Sequence, residues 1–311
     1  MKPDLALKSP VEGSVQAPVQ RCGLVAIVGR PNVGKSTLLN KLIGRKLSIT
    51  SRKPQTTRHA LLGIKTRGMN QILYVDTPGL HRSPEKHLGR YLNREAMRTL
   101  RDVDVILFLI EAAGWRRGDE HVWKQLRGIP APILLLLNKV DKLKQKKELL
   151  PLLKQLQTHG PWAEIIPVSA RNGDNLDHME DVISRHLPGQ SWLYPPDQLS
   201  DRPERFFAAE VIREKLMRNL EQELPYHTAV IVDKYEDSAH DVHLHATIWV
   251  ERPGQKAIVI GKQGAMLKLI GERARRDIEA LVGKRVHLKT WVKVRGGWTD
   301  DVQQLRELGF S

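Results

Sequence analysis

Short apolar runs alternate with longer amphipathic stretches from Leu24 to about residue 186. The apolar runs are LVAIVG, QILYVD, VDVILFLI, ILLLLNK and IIPVSA, and a helical pattern beginning near Lys35 follows the first of them. Such alternation, with strands that are almost continuously apolar, is typical of a parallel sheet covered by helices on both faces. The pattern therefore predicts a doubly wound α/β fold for this part of the chain.

A second pattern begins after a proline-rich segment, residues 188–203, which has few periodic apolar positions and is predicted to be a linker. A helical pattern then leads into two strand-like runs, HTAVIVDKYED and VHLHATIWVE, and a glycine-punctuated turn. A basic helix (264–281), a strand (286–294) and a short helix (299–308) complete the predicted order α-β-β-α-β-α. We therefore predict a flexible N-terminal tail at 1–20, an α/β domain at 21–187, the linker at 188–203 and a smaller α+β domain at 204–311.

The chain of 311 residues carries a formal net charge of +15, which favours a polyanionic partner such as a nucleic acid or an anionic membrane surface. Solvated lysine faces are the simpler alternative. Much of the excess lies in residues 251–295, where twelve Lys and Arg stand against four Asp and Glu. The second domain therefore contains a local basic region.

A single cysteine, Cys22, excludes an intrachain disulfide and favours a reducing compartment, so we expect a cytoplasmic protein. Residues 1–20 lack the apolar core of a signal peptide, and the longest apolar runs have the length of a strand. The sequence therefore predicts no segment that spans a membrane.

A phosphate-binding loop follows directly from the first strand. Its spacing G-x-x-x-x-G-K-[ST] lets backbone N–H groups surround phosphates, and the N-terminus of the next helix adds positive potential. Lys35 can reach the β- and γ-phosphates, and the hydroxyl of Ser36 can bind Mg²⁺. The predicted phosphate-binding residues are Gly29, Arg30, Pro31, Asn32, Val33, Gly34, Lys35, Ser36 and Thr37.

The sequence NKVD, which follows the strand ILLLL, indicates guanine as the base. Asp141 can accept hydrogen bonds from the N1–H and amino group of guanine, which adenine cannot supply. This four-residue pattern is weak alone and gains weight from its place between the other motifs. Ser169 and Ala170 follow the strand IIPV and can add backbone contacts. The predicted guanine-binding residues are Asn138, Lys139, Asp141, Ser169 and Ala170.

Two further segments are predicted to contact Mg²⁺ and the γ-phosphate. Asp76, at the tip of QILYVD, can hold Mg²⁺ through water, and the N–H of Gly79 can sense the γ-phosphate. In the sequence PQTTR we choose Thr57 as a hydroxyl ligand of Mg²⁺, with Thr56 as its rival and ordinary turn chemistry as the alternative. Segments that make such contacts only with GTP bound act as switches.

The motifs GRPNVGKS, QTTR, DTPG, NKVD and SAR, in this order, resemble the translation-factor-like class of small GTPases. The resemblance implies GTP and GDP as ligands, together with Mg²⁺, and hydrolysis of GTP. Many members of that class carry a water-positioning glutamine where this chain has Leu80, so catalysis must depend on another group or be slow. Relatives with the loop asparagine bind K⁺ near the phosphates, which makes Asn32 a candidate K⁺ site.

The stretch AIVIGKQGAMLKLIG joins an apolar run to a basic helix through a G-x-x-G loop. The two glycines allow a sugar-phosphate chain to approach the loop backbone, and Lys262 adds positive potential. With this element order, the region resembles a KH domain of type II. The predicted RNA-binding residues are Gly261, Lys262, Gln263, Gly264 and Lys268. Trp291 and Trp298 could stack on bases, although we expect Trp291 to be buried.

The GTPase motifs, the segment LYPPDQLSDRPERFFAAEVIREK and the loop GQKAIVIGKQG together resemble the Era family of bacterial ribosome-assembly GTPases. The resemblance implies binding to the three-prime region of small-subunit ribosomal RNA during maturation of the small subunit, and peripheral association with the inner membrane. We expect a monomer and no DNA partner. On this interpretation GTP orders Thr57 and residues 76–80, which control how the GTPase domain sits against the KH domain.

Three other functions stay open. A GTPase that modifies or delivers tRNA would need added catalytic or tRNA-binding domains, which the sequence does not show. A KH adaptor would use its nucleotide site only structurally, and would keep its function in a Lys35→Ala variant. A membrane-signalling GTPase would float with vesicles in the absence of RNA.

Overall fold

This computed structural model describes residues 19–51, 53, 58, 60–77, 97–98, 100–221, 224–298 and 301. Within these residues the first part of the chain forms a six-stranded sheet. Its strands are β1 (Arg21–Val28), β2 (Leu61–Arg67), β3 (Asn70–Asp76), β4 (Val105–Glu111), β5 (Ile133–Asn138) and β6 (Glu164–Pro167). The spatial order is β2-β3-β1-β4-β5-β6, and all neighbours except β2 and β3 pair in parallel. The predicted doubly wound α/β fold is confirmed.

Helices cover both faces of this sheet. They are α1 (Lys35–Ile43), α2 (Arg117–Leu126), α3 (Leu149–Gln157) and α4 (Leu176–His186). Successive residues of β1 point to opposite faces, so Val25 and Ile27 pack with α1 and α4 while Ala26 and Val28 pack with α2 and α3. This two-sided burial explains why the strands are almost continuously apolar.

The antiparallel edge strand β2 is missing from the sequence prediction. Its sequence, LLGIKTR, has a central glycine and a polar end, which weakens the strand pattern. A Cβ at Gly63 would lie 2.7 Å from Cδ1 of Leu39 in α1, so the glycine allows the helix to approach the strand closely. Tertiary packing therefore places this segment in the sheet.

The second part of the chain forms a three-stranded sheet within the described residues, with helices on one face. Its elements are α5 (Glu204–Asn219), β7 (Thr228–Asp237), β8 (Asp241–Val250), α6 (Pro253–Ile260), α7 (Ala265–Val282) and β9 (Arg285–Val294). Strand β8 lies centrally, antiparallel to β7 and parallel to β9. Alternate residues of β8, from Val242 to Val250, pack against Ile270, Ala274 and Ile278 of α7. The predicted smaller α+β unit is confirmed.

The predicted order α-β-β-α-β-α misses one helix: between β8 and the basic helix, where the sequence predicts only a glycine-punctuated turn, residues 253–260 form the helix α6. Pro253 occupies the first helical turn, where its missing N–H costs nothing. The side chain of Gln255 accepts hydrogen bonds from the N–H groups of Glu251 (2.8 Å) and Arg252 (3.0 Å). The described order is therefore α-β-β-α-α-β, and the predicted helix at 299–308 lies outside the described residues.

The predicted linker packs along the edge of the larger sheet. The N–H of Ile64 in β2 donates to the carbonyl of Leu199 (2.8 Å). Gln71 Oε1 in β3 accepts hydrogen bonds from the N–H groups of Leu193 (2.9 Å) and Tyr194 (3.0 Å). The segment therefore has a fixed course across the edge. The proposed domain boundaries stay predictions, and of the predicted tail residues 1–18 lie outside the described part.

Candidate functional site

The phosphate-binding loop connects β1 to α1 at the carboxyl end of the parallel strands. Gly34 has φ 110°, and a Cβ there would lie 2.3 Å from Nδ2 of Asn138. A Cβ at Gly29 would lie 2.5 Å from the carbonyl oxygen of Leu109. Any side chain at these two positions would collide with a neighbouring strand or loop, so the loop requires both glycines. The predicted phosphate-binding residues 29–37 form this loop and the first turn of α1.

Lys35 lies inside the loop with 7% of its surface exposed. Its Nζ donates to the carbonyl oxygens of Gly29 (3.0 Å) and Arg30 (3.3 Å). Burial lowers the pKa of Lys35 to about 8, and the Asp76 carboxylate opposes that shift. A phosphate at this point would favour the charged ammonium, because an opposite charge stabilises the ionised form.

Asp76, at the end of β3, is fully buried beside the loop. Its Oδ2 accepts hydrogen bonds from the hydroxyls of Ser36 (2.8 Å) and Ser48 (2.8 Å). The structure thus brings together two of the predicted Mg²⁺ residues and adds Ser48, which no sequence motif indicates. The other two predicted contacts, Thr57 and Gly79, lie outside the described residues.

One buried amide joins the three loops of the base-recognition region. Asn138 Nδ2 donates to the carbonyl of Val33 in the phosphate loop (2.7 Å). Asn138 Oδ1 accepts hydrogen bonds from the N–H groups of Lys139 (2.8 Å) and Ala170 (2.9 Å). The Ser169 hydroxyl donates to Asp141 Oδ1 (2.8 Å) and so orients the carboxylate. The predicted guanine-binding residues therefore form one connected group.

Glu111, at the end of β4, links the phosphate loop to the base loop and is absent from the sequence prediction. Its carboxylate forms ion pairs with Arg30 (2.8 Å) and with Lys139, whose Nζ also donates to the carbonyl of Asn32 (2.6 Å). Burial alone would raise the pKa of Glu111, but Lys139 and Arg30 bring it below its ordinary value. Arg30 also contacts the buried Asp119 of α2 (3.2 Å). A single acidic residue ending an apolar strand is the signal that could have found Glu111.

The G-x-x-G loop is exposed between α6 and α7. Gly261 (φ 73°) and Gly264 (φ 81°) flank it, and the N–H of Gly264 donates to the carbonyl of Gly261 (3.1 Å). A Cβ at Gly264 would meet no atom within 4 Å, so this side of the backbone is open to a ligand. Lys262, Gln263 and Lys268 are exposed at the same end of α7. The five predicted RNA-binding residues therefore lie together.

The expectation for Trp291 is wrong, because its side chain is 44% exposed. In β9 the neighbouring Val292 is buried against the helices, so Trp291 points to the opposite face of the sheet. Trp298 is fully buried and could stack on a base only by leaving its packed position.

A buried carboxylate joins the segment after α1 to the second part of the chain. Glu214 of α5 is fully buried and pairs with Lys46 (2.5 Å) and Arg218 (3.0 Å). It also accepts the backbone N–H of Thr50 (2.9 Å). Burial would raise the pKa of Glu214, but Lys46 and the Thr50 N–H bring it below its ordinary value. Lys46 in addition contacts Asp277 of α7 (2.8 Å).

Arg58, which ends the QTTR motif, makes a second connection. Its guanidinium is 2% exposed and donates to the carbonyl oxygens of Pro225 (3.1 Å), Tyr226 (2.9 Å) and Thr228 (2.7 Å). These carbonyls precede and begin β7. Thr50 and Arg58, both between α1 and β2, therefore contact the second part of the chain, and no sequence signal indicated these contacts.

Comparisons with known proteins identify the family of both parts of the chain. Residues 24–139 match the family model of the 50S ribosome-binding GTPases, and residues 223–299 match the KH domain. GTPase Era of Pseudomonas entomophila is 51% identical over 291 residues, covering 94% of this chain and 97% of its own length. The chain belongs to the Era family of GTPases. GTPase Era of Ectopseudomonas mendocina is 52% identical over 294 residues, covering 94% of this chain and 98% of its own length.

Two solved Era structures match nearly the whole fold. An Era variant from Aquifex aeolicus bound to GDP·AlF₄⁻ gives a TM-score of 0.90 at 39% identity, covering 94% of this chain and 100% of its own. Era in complex with MgGDPNP and nucleotides 1506–1542 of 16S ribosomal RNA gives a TM-score of 0.89 at 39% identity, covering 94% and 99%. The chain is thus an Era-family GTPase with a KH domain.

In the described part of the chain, no helix combines the length and apolar character needed to cross a bilayer.

Proposed function

We propose that this GTPase binds the three-prime region of small-subunit ribosomal RNA through its KH domain and acts in maturation of the small ribosomal subunit. The observation that carries the proposal is the match over 94% of the chain to Era bound to a 16S RNA segment, combined with the exposed G-x-x-G loop on the basic helix α7. The family model names the 50S subunit, but it matches only residues 24–139, which exclude the KH domain. The RNA-bound relative covers both parts, so we favour the small subunit.

We propose that Ser36, Thr57 and Asp76 hold Mg²⁺ with the nucleotide. Serine, threonine and carboxylate oxygens suit this hard cation, and the Ser36 hydroxyl already lies 2.8 Å from Asp76. Bound Mg²⁺ neutralises charge on the β- and γ-phosphates. Lys35 supplies a further positive charge there, and the Gly79 N–H senses the γ-phosphate. Asn32, exposed with φ 64°, remains our candidate K⁺ residue, and equal GTPase rates in Na⁺ and K⁺ would refute it.

We infer that the nucleotide state alters RNA binding through the contacts of Glu214 and Arg58. Ser48 binds Asp76 on the nucleotide side, and Thr50 binds Glu214 on the KH side. Movement of this segment on GTP hydrolysis must therefore change contacts with α5. The measurement is RNA affinity at one salt concentration with a GTP analogue and with GDP, and equal affinities would contradict this coupling.

We further propose that the protein works as a monomer in the cytoplasm and associates peripherally with the cytoplasmic face of the inner membrane. The basic region at residues 251–295 supports attraction to anionic lipid. Vesicle flotation with and without RNA tests this part independently of the ribosomal role.

RNA crosslinking with sequencing in cells tests the ribosomal role. Reads should concentrate on small-subunit ribosomal RNA and be lost in a Gly261→Asp, Gly264→Asp variant. A Cβ at Gly261 would lie 2.7 Å from Cβ of Met266, so an aspartate there would also distort the loop. A Lys262→Glu, Lys268→Glu variant changes only exposed side chains and provides a second test. Diffuse reads, or reads that both variants retain, would overturn the proposal.

A further inference from the structure

The KH sheet has a second face that none of the helices in the described part of the chain covers. The helix-facing residues of β8 and β9 alternate with residues that point the other way. We call this other side the outer sheet face; on β8 and β9 it carries His243, His245, Trp249, His287, Lys289, Trp291 and Lys293. At one end it also carries Asp241, which contacts His287 (3.3 Å), and Glu236 of β7, which pairs with His243. The G-x-x-G loop lies in the helical layer, so the outer sheet face is separate from it.

Aromatic rings form two separate contacting pairs on the outer sheet face. His243 and His287, which pair directly across β8 and β9, stack with ring centroids 4.6 Å apart. The second pair is diagonal: His245, whose cross-strand partner is Lys289, contacts Trp291 edge-on at 5.3 Å. Trp291 is 44% exposed, although burial of so large an apolar ring would stabilise the domain. Exposed rings on a flat sheet are the kind of surface on which unpaired bases stack.

Cations lie between and beside these rings. Lys289 occupies the position between His287 and Trp291 along the same face of β9, and the next residue on that face is Lys293. His287 and Trp291 are four residues apart, which corresponds to about 13 Å along a strand. Among the residues that the structure describes, no carboxylate lies within 4 Å of Lys289 or Lys293. Lys293 Nζ lies 5.6 Å from the centroid of the Trp249 ring, a contact that leaves its positive charge in place. No described carboxylate therefore neutralises either lysine before a phosphate binds.

We propose that the outer sheet face is a second RNA-binding surface, which takes single-stranded RNA by stacking bases on Trp291 and the His243–His287 pair and by pairing phosphates with Lys289 and Lys293. Double-stranded RNA fits less well, because its bases are already stacked on each other and are not available to the rings. This surface extends the proposed RNA-binding function beyond the G-x-x-G loop, which lies across the domain.

The test uses full-length protein carrying Gly264→Asp and Lys262→Glu, so that the G-x-x-G loop no longer contributes. The probe is a fluorescein-labelled ten-nucleotide oligo(A) RNA, compared with a ten-base-pair RNA duplex and with phosphatidylglycerol vesicles. Anisotropy should show salt-sensitive binding of the single strand in preference to the other two. Adding Trp291→Ala should weaken it about 5- to 150-fold, since stacking contributes roughly 1–3 kcal/mol per base. Adding Lys289→Glu and Lys293→Glu should reduce the salt dependence.

Lys124→Glu, an exposed charge reversal on α2, is the matched control and should leave binding unchanged. Loss of all single-strand binding in the loop-defective protein would overturn the proposal, as would equal affinities of the Trp291→Ala and Lys124→Glu proteins, or a preference for duplex or vesicles. None of these results would affect the ribosomal role, which is measured by the loop variants in cells.

Discussion

Replacing Arg58 by alanine should loosen the connection between the GTPase and KH domains. The side chain donates three hydrogen bonds to backbone carbonyls, at 2.7, 2.9 and 3.1 Å. At about 1.5 kcal/mol for each bond to a charged donor, the gross contribution is roughly 4.5 kcal/mol. Burying the guanidinium offsets part of this, since burial and the nearby Arg213 lower the pKa of Arg58 to about 9. We therefore expect Arg58→Ala to lower the free energy of local opening at this connection by about 2–4 kcal/mol.

Hydrogen–deuterium exchange measures this loss locally. Peptides covering residues 46–51 and 224–230 should exchange roughly 30- to 700-fold faster in the Arg58→Ala protein, because each 1.4 kcal/mol corresponds to about a factor of ten. Arg67→Ala is the matched control, since the Arg67 side chain is 48% exposed and surface ion pairs contribute at most about 1 kcal/mol. Exchange at 224–230 that stays within threefold of the wild type would refute the reasoning, because water would then replace the guanidinium at no cost.

Three further predictions concern the nucleotide site. Gly34→Ala should weaken GDP binding at least about 100-fold, since its Cβ would collide with Asn138 at 2.3 Å. Gly44→Ala is the control: this glycine also has a positive φ (75°), but the space around its Cβ is open, so GDP affinity should stay within a few-fold in the same titration. Asp141→Asn should cost about 1.5–3 kcal/mol in GDP affinity, and competition with xanthosine diphosphate should show a gain for that nucleotide; unchanged GDP binding would contradict the assignment. Lys35 should bind phosphate in its charged form, and its pKa in the free protein is about 8. GDP affinity should therefore fall by roughly tenfold from pH 7 to pH 9, as the ammonium loses its proton. A Lys35→Ala protein with the same pH dependence would show that another group titrates.

Lys35 also affects stability in a definite direction. Its folded pKa of about 8 lies below the ordinary 10.5, so the unfolded chain binds more protons between these values. The contribution of Lys35 to the free energy of unfolding therefore rises as the pH increases through that window. Urea unfolding of the nucleotide-free protein at pH 8 and pH 10, compared with Lys35→Ala, isolates this contribution.

The structure brings the described residues of the predicted nucleotide site together because they belong to short motifs at the ends of apolar strands. The strand before Lys35 and the strand before Asn138 are both buried on two faces, so their carboxyl ends had to meet at one edge of a parallel sheet. The hydrogen bonds between the Asn138 side chain and the backbone of Val33, Lys139 and Ala170 follow from this arrangement of the strands. The spacing of residues within each motif was therefore sufficient to predict that these residues lie together.

Long-range contacts could not be predicted in the same way. Glu214 lies 168 residues from Lys46, and Arg58 lies 170 residues from Thr228. A lone buried glutamate or arginine has no periodicity that distinguishes it from a solvated one. The helix α6 was missed for a different reason, since its apolar run is too short to show a helical period and only Val259 of it is buried.

The burial of Glu214 also bears on how the protein can be divided. A boundary drawn at the linker assigns this carboxylate to the KH domain, yet Lys46 and the Thr50 N–H, two of the groups that keep it ionised, belong to the other side. A KH fragment cut at that boundary would keep the acid and lose these partners. The smallest piece that preserves the native electrostatics of α5 is therefore longer than the domain that the motifs define, and a fragment designed for RNA work should carry Glu214→Gln.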